Sequence, residues 1–257
     1  MGPGDRALRG GGRGADHNSA LSKFVYLARL AFLCLIHGAW HDGSCWEPVV
    51  RSLRARGHEA VAPDLPLHDP EAGFEERARP ALQALDDATD PVVVVGHSMG
   101  SAYATLVAAA RPGSLLVHLC PRLGGFAPPP GAPDTFREGF PFPADRPDGT
   151  SAWDAEAAIG AMYRRVPPET ARALARRLRP MAPPAGEYPL PSHPVIPTVL
   201  VYAADDEIFE PGWERFMARE LLGIEPIEIP GGHFPMAEDP DALADLLDRL
   251  ARDHARP

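Results

Sequence analysis

The sequence predicts a single α/β domain built on a mostly parallel, doubly wound sheet. Two observations carry that expectation. From residue 30 onward, short apolar runs bounded by turn residues alternate with segments of helical period. One stretch, Pro121–Pro194, breaks the alternation and holds about half of the 31 prolines. It therefore reads as an excursion from the sheet rather than part of it.

In chain order, the apolar runs place strands at Leu30–Ile36, Ala60–Ala62, Val92–Val95, Leu115–Leu119, Thr198–Tyr202 and Pro226–Ile229. Between them, Cys45–Arg56 sets Trp46, Val49, Val50 and Leu53 at helical spacing. Phe74–Leu85 is amphipathic despite Pro80. Ser101–Ala110 is small and apolar throughout, as a helix buried against a sheet should be. Within the excursion, helical patterns span Ala152–Arg164 and Pro168–Arg179, and no strand is expected. Trp213–Leu222 and Pro240–Ala251 complete the set. The last opens on Asp239-Pro240 and repeats leucine at 243, 246, 247 and 250, a start signal followed by a core face. Strands alternating with helices imply parallel pairing covered on both faces. The excursion, about 121–194, lies where an α/β scaffold carries a lid. Residues 1–22 are rich in Gly and Arg without apolar period and read as a disordered tail. The domain then spans 23–257.

The bulk numbers exclude several function classes. A formal charge of −10 and the absence of a basic stripe argue against nucleic acid. The apolar segment Phe24–Ile36 is too short to span a bilayer and is interrupted by Arg29, so no membrane role and a cytoplasmic location are expected. Three cysteines, Cys34, Cys45 and Cys120, form no Cys-x-x-Cys pair. They read as buried free thiols, with no metal site.

The chemistry centres on Gly96-His97-Ser98-Met99-Gly100. A buried strand, Pro91–Val95, runs into this motif and a small-residue helix runs out, which is the strand–turn–helix setting of a nucleophile elbow. The turn exposes the Ser98 hydroxyl and sets the Met99 N–H at a helix start, facing developing negative charge. A serine needs a base. Among ten histidines, His233 stands out because Pro230-Gly231-Gly232-His233-Phe234 follows a strand and precedes the last helix. The base needs an acid. The strand Thr198–Tyr202 leads to Asp205-Asp206-Glu207, where Asp206, followed by x-Ile-Phe-x-Pro, is the preferred candidate and Asp205 the alternative. A second oxyanion donor is offered by the Ala39 N–H in His37-Gly38-Ala39-Trp40, after the first strand. His37 reads as a structural residue bonded to loop backbone.

Taken together, these segments resemble the α/β-hydrolase superfamily, and within it the small-lidded esterase and hydroxynitrile-lyase-like branch, over about residues 28–252. The resemblance implies a triad of Ser98, Asp206 and His233, an oxyanion hole of Ala39 and Met99, and no cofactor. Two departures bear on the chemistry. Plant hydroxynitrile lyases of this fold carry a threonine after the first histidine and a lysine beside the catalytic histidine. Here those positions are Gly38 and Phe234, and the only lysine is Lys23, in the tail. Cyanohydrin cleavage is therefore disfavoured, and a serine nucleophile argues against dehalogenase and epoxide-hydrolase chemistry.

The substrate pocket is expected between Trp40, His97, Met99 and the lid, with Trp153, Ile159, Met162 and Tyr163 reaching inward. That lining suits an apolar or aromatic acyl group. The expected reaction is hydrolysis of a small or medium carboxylic ester. Two alternatives remain at this point: a thioesterase, cyclase or lyase using the same triad, or a non-catalytic ligand-binding protein. The expected partner is a small-molecule ester or thioester, and a homodimer is a possible assembly.

Overall fold

In the computed structural model, residues 30–89 and 91–255 are described. The expected tail at 1–22 lies outside them. Six strands form one wholly parallel sheet in the order β2-β1-β3-β4-β7-β8. These are β1 (Phe32–Ile36), β2 (Glu59–Val61), β3 (Val92–His97), β4 (Leu115–Leu119), β7 (Thr198–Ala203) and β8 (Ile227–Ile229). Each expected strand is present within two residues of its expected bounds. The helices are α1 (Glu47–Ala55), α2 (Phe74–Gln83), α3 (Gly100–Ala110), α4 (Ala155–Met162), α5 (Pro168–Ala175), α6 (Trp213–Glu220), α7 (Pro235–Glu238) and α8 (Pro240–His254).

The strands alternate their side chains between two apolar layers, so both faces of the sheet are buried. Leu33, Leu35, Val93, Val95, Val117 and Leu119 face one layer, with Leu53 of α1 and Leu243 and Leu247 of α8. Cys34, Ile36, Val92, Val94 and Leu116 face the other, with Ala78 of α2 and Tyr103 and Val107 of α3. This is why β1 and β3 read as continuous apolar runs rather than as alternating ones. Cys34, Cys45 and Cys120 are all buried and unpaired.

The register brings the functional loops to one edge. Ile36 pairs with Gly96, and His97 with Leu119, so β1, β3 and β4 end at one level. In an open parallel sheet the crevice beyond the carboxyl ends of the strands is where ligands bind.

The segment between β4 and β7 differs from its expectation in one respect. It contains a two-stranded antiparallel hairpin, β5 (Ala144–Asp145) and β6 (Ser151–Ala152). The reason is local turn chemistry. The Asp148 carboxylate accepts from the Thr150 N–H at 3.0 Å and from its hydroxyl at 2.7 Å, and Gly149 takes a left-handed φ of 80°. The Asp-Gly signal was present, but its flanks are too short and polar to read as strands. The short helix α7 was also unforeseen, because only five residues separate the His233 loop from α8.

Candidate active site

Ser98 follows β3 directly and has φ 51°, a left-handed conformation that a side chain seldom adopts. Its backbone is fixed from both sides: the Ser98 N–H donates to Leu119 O at 3.0 Å, and its carbonyl accepts from the Arg122 N–H at 3.0 Å. The flanking glycines are sterically required. A Cβ on Gly96 would lie 2.6 Å from Ala104 Cβ, and one on Gly100 would lie 2.4 Å from His37 O. Gly38 is nearly as crowded, because a Cβ there would approach Ser98 Cβ to 3.1 Å. The other two non-glycine residues with positive φ among the described residues, Trp40 (60°) and Cys120 (42°), follow β1 and β4 at the same sheet edge.

His233 and Asp206 are both buried, and Nδ1 of His233 lies 2.6 Å from Oδ2 of Asp206. The second carboxylate oxygen accepts from the N–H groups of Ile208 at 2.8 Å and Phe209 at 3.0 Å. Asp205 points elsewhere and pairs with Arg165 at 2.9 Å, both about half exposed. Burial alone would raise the Asp206 carboxyl, but the adjacent His233 and the two amides hold it below the usual range. Burial likewise opposes charge on His233, yet the Asp206 carboxylate raises its imidazole above the ordinary value. With Nδ1 donating to Asp206, Nε2 is left as the proton acceptor.

The neighbouring histidines hold backbone. His97 Nε2 donates to the His233 carbonyl at 2.8 Å, and burial keeps its imidazole well below the usual pKa. His37 Nε2 accepts from the Leu65 N–H at 3.0 Å, while Nδ1 donates to Gly38 O. His37 thus bonds to loop backbone.

A cavity of about 230 Å³ opens at this edge. Gly38, Ala39, Trp40, His97, Ser98, Met99, His233 and Phe234 border it from the sheet side. Phe136, Phe140, Phe142, Met162 and Met181 border it from the segment between β4 and β7. The N–H groups of Ala39 and Met99 have no protein acceptor among the described residues. The Ser98 hydroxyl makes no hydrogen bond to His233 there either, although both border the cavity. In enzymes without substrate such contacts are often long and tighten on binding.

Of the residues expected to form the pocket, Trp40, His97, Met99 and Met162 line it. Trp153 does not: it stands behind, edge-on to Trp40 at 5.8 Å and to Phe140 at 6.2 Å between ring centres. Ile159 is likewise off the wall. Tyr163 faces away because its hydroxyl bonds His41 Nε2 at 2.6 Å, and His41 Nδ1 in turn donates to the Ala39 carbonyl at 2.6 Å. Sequence reasoning missed Phe136, Phe140, Phe142, Met181, Ile208, His41 and Arg122. Three phenylalanines within seven residues, in a chain only 7% aromatic, were the available signal.

Cys120, Asp206 and His233 form the one group of potential metal ligands among the described residues, with donor atoms within 4.8 Å of one another. Asp206 and His233 already use their facing atoms on each other. Burial and the nearby carboxylates push the Cys120 thiol well above its usual range, so the arrangement does not favour a thiolate ligand.

A sequence profile of the alpha/beta hydrolase family matches residues 35–246. The chain belongs to that family. This hydrolase is 27% identical to a pyrethroid hydrolase of Sphingobium wenxiniae, over 84% of this chain and 85% of that protein. It is also 27% identical to the probable esterase PIR7A of Oryza sativa subsp. japonica, over 84% of this chain and 95% of that one. Among solved structures, the pyrethroid hydrolase from Sphingobium faniae superposes with a TM-score of 0.67 at 24% identity, covering 87% of this chain and 98% of that one. No helix among the described residues is long and apolar enough to cross a membrane.

Proposed function

We propose that this hydrolase cleaves small or medium carboxylic esters through an acyl-enzyme on Ser98, with His233 as general base and Asp206 as its acid. One observation carries the reading: a serine on a strained strand-to-helix turn and a buried imidazole bonded to a carboxylate border the same apolar cavity. The relatives named as a pyrethroid hydrolase and as esterases support an ester substrate.

His233 Nε2 takes the Ser98 proton as Oγ attacks the ester carbonyl, and Asp206 stabilises the imidazolium. The oxyanion is received by the Ala39 and Met99 N–H groups, each typically worth about 3 kcal/mol of barrier. His233 then protonates the leaving alkoxide. Water, activated by the same base, releases the acid. The segment at about 121–194 acts as a lid, because its phenylalanines and methionines supply the apolar wall around the acyl group. Phe234 stands beside His233 where the plant hydroxynitrile lyases of this fold carry a lysine, so no lysine at that position serves a cyanide leaving group. Hydrolysis of 4-nitrophenyl acetate and butyrate tests the assignment. Ser98→Ala should lose on the order of 10⁶ in kcat, and a variant with undiminished turnover would refute it.

A further inference from the structure

Arg122 is the one permanently charged side chain on the cavity wall among the described residues. Its backbone is tied to the elbow, because the Arg122 N–H donates to the Ser98 carbonyl at 3.0 Å. The loop holds it from the other side, where the Arg122 carbonyl accepts from the Gly124 N–H at 2.7 Å. The guanidinium lies over the Phe136 ring, with its central carbon 6.0 Å from the ring centre. That contact holds it above one of the aromatic residues of the wall. No carboxylate of the described chain pairs with it, although Asp and Glu outnumber Lys and Arg by 35 to 25. Several other arginines do meet an acid, as Arg165 does with Asp205 and Arg179 with Asp42. An arginine fixed beside the nucleophile, aimed along an apolar wall and left without an acid, is a ready partner for an anion brought by the substrate. A guanidinium meets a carboxylate through two parallel N–H donors, which confers orientation as well as attraction.

We infer that Arg122 selects esters that carry a free carboxylate, with an apolar chain or ring between that carboxylate and the scissile ester. The substrate class is thus the half-ester of a dicarboxylic acid, or an apolar ester with one acidic substituent. This inference rests on the ester reading of the site. The chain or ring packs against Phe136 and Phe140, and the acidic end turns to the mouth where Arg122 stands.

Two measurements separate this inference from the reading beneath it. In the first, kcat/KM is compared for monomethyl glutarate, adipate and pimelate and for the neutral methyl esters of matching length. The wild type should favour at least one half-ester over its neutral match by about tenfold or more. In Arg122→Gln that ratio should collapse toward one, and in Arg122→Lys it should be partly kept. The preference should shrink as ionic strength rises, because the guanidinium is exposed to solvent. In the second, 5-phenylpentanoate and its neutral amide are titrated calorimetrically into wild type and Arg122→Gln. The acid should bind more tightly than the amide in the wild type alone. Equal binding of acid and amide by the wild type, or a preference that survives in Arg122→Gln, would overturn the role of Arg122 whatever the turnover data show. Neutral esters turned over without any preference for half-esters would overturn it while leaving ester hydrolysis intact.

Discussion

At the scale of single residues, the candidate site turns on which of two adjacent acids faces the imidazole. Asp206 is buried and meets His233 at 2.6 Å, whereas Asp205 is spent on Arg165. Asp206→Asn should therefore lower kcat by about 10⁴, as loss of the orienting carboxylate does in comparable triads. Asp205→Asn should stay near wild type in the same assay. The pH profile provides the sign. As the proposed base, His233 would act only when neutral, and Asp206 lifts its pKa above the ordinary 6.5, so kcat/KM should fall with acid along a limb centred above that pH. In Asp206→Asn the limb should move to lower pH, because burial then acts without the carboxylate. Ser98, His233 and the two oxyanion candidates were legible in the sequence because short motifs and their place after strands marked them. The choice between Asp205 and Asp206 was only favoured there, since neighbours in a loop differ in direction, and direction is set by contacts from Ile208, Phe209 and Arg165.

At the scale of elements, the excursion between β4 and β7 is tied to the loop of Ala39, the proposed oxyanion donor, by Arg179 N–H to Trp40 O at 2.8 Å, by Trp40 Nε1 to Ser151 Oγ at 3.1 Å and by a relay through His41. The Tyr163 hydroxyl, at the end of α4, donates to His41 Nε2, and His41 Nδ1 holds the Ala39 carbonyl. His41 is kept neutral by burial, its pKa depressed to about 4, so the chain persists at neutral pH. Tyr163→Phe leaves a buried ring nitrogen without its donor, at a cost of about 1–3 kcal/mol. We expect a thermal midpoint lowered by several degrees, together with a several-fold loss in kcat as the Ala39 loop loosens. A drop in stability with kcat unchanged would show that the tie serves the fold only. Neither link was legible in sequence. The tyrosine was expected in the pocket together with Met162, but adjacent residues of a helix do not share a face, and only Met162 borders the cavity. The strands, by contrast, were legible almost to the residue, since a parallel sheet buried on both faces demands unbroken apolar runs.

At the scale of the whole molecule, stability should depend on pH through its buried neutral histidines. His118, in the middle of β4, is fully buried, has no partner on Nδ1 and faces His193 at 3.3 Å. Burial depresses its pKa to about 3, and His37 and His97 are lowered for the same reason. A base whose folded pKa lies below its unfolded value of about 6.5 contributes stability that is complete above pH 6.5 and is lost as pH falls toward the folded value. Each such group adds a slope of up to about 1.4 kcal/mol per pH unit in that window. His233 runs the other way, because its folded pKa is raised. Replacing His118 with leucine should flatten the acid limb. Between pH 7 and pH 5 the variant should gain roughly 4–8 °C relative to wild type in differential scanning calorimetry, and parallel curves would count against the account. None of this was visible in a count of ten histidines, because burial follows from the sheet and not from the neighbours of each residue in the chain.

The proposed chemistry requires Ser98 to be an activated nucleophile. Intact-mass spectrometry after exposure to a fluorophosphonate measures it most directly. The wild type should gain one phosphonyl group, mapped by peptide digestion to Ser98, and Ser98→Ala should gain none. Equal labelling of the two proteins, or an adduct on another residue, would contradict the account.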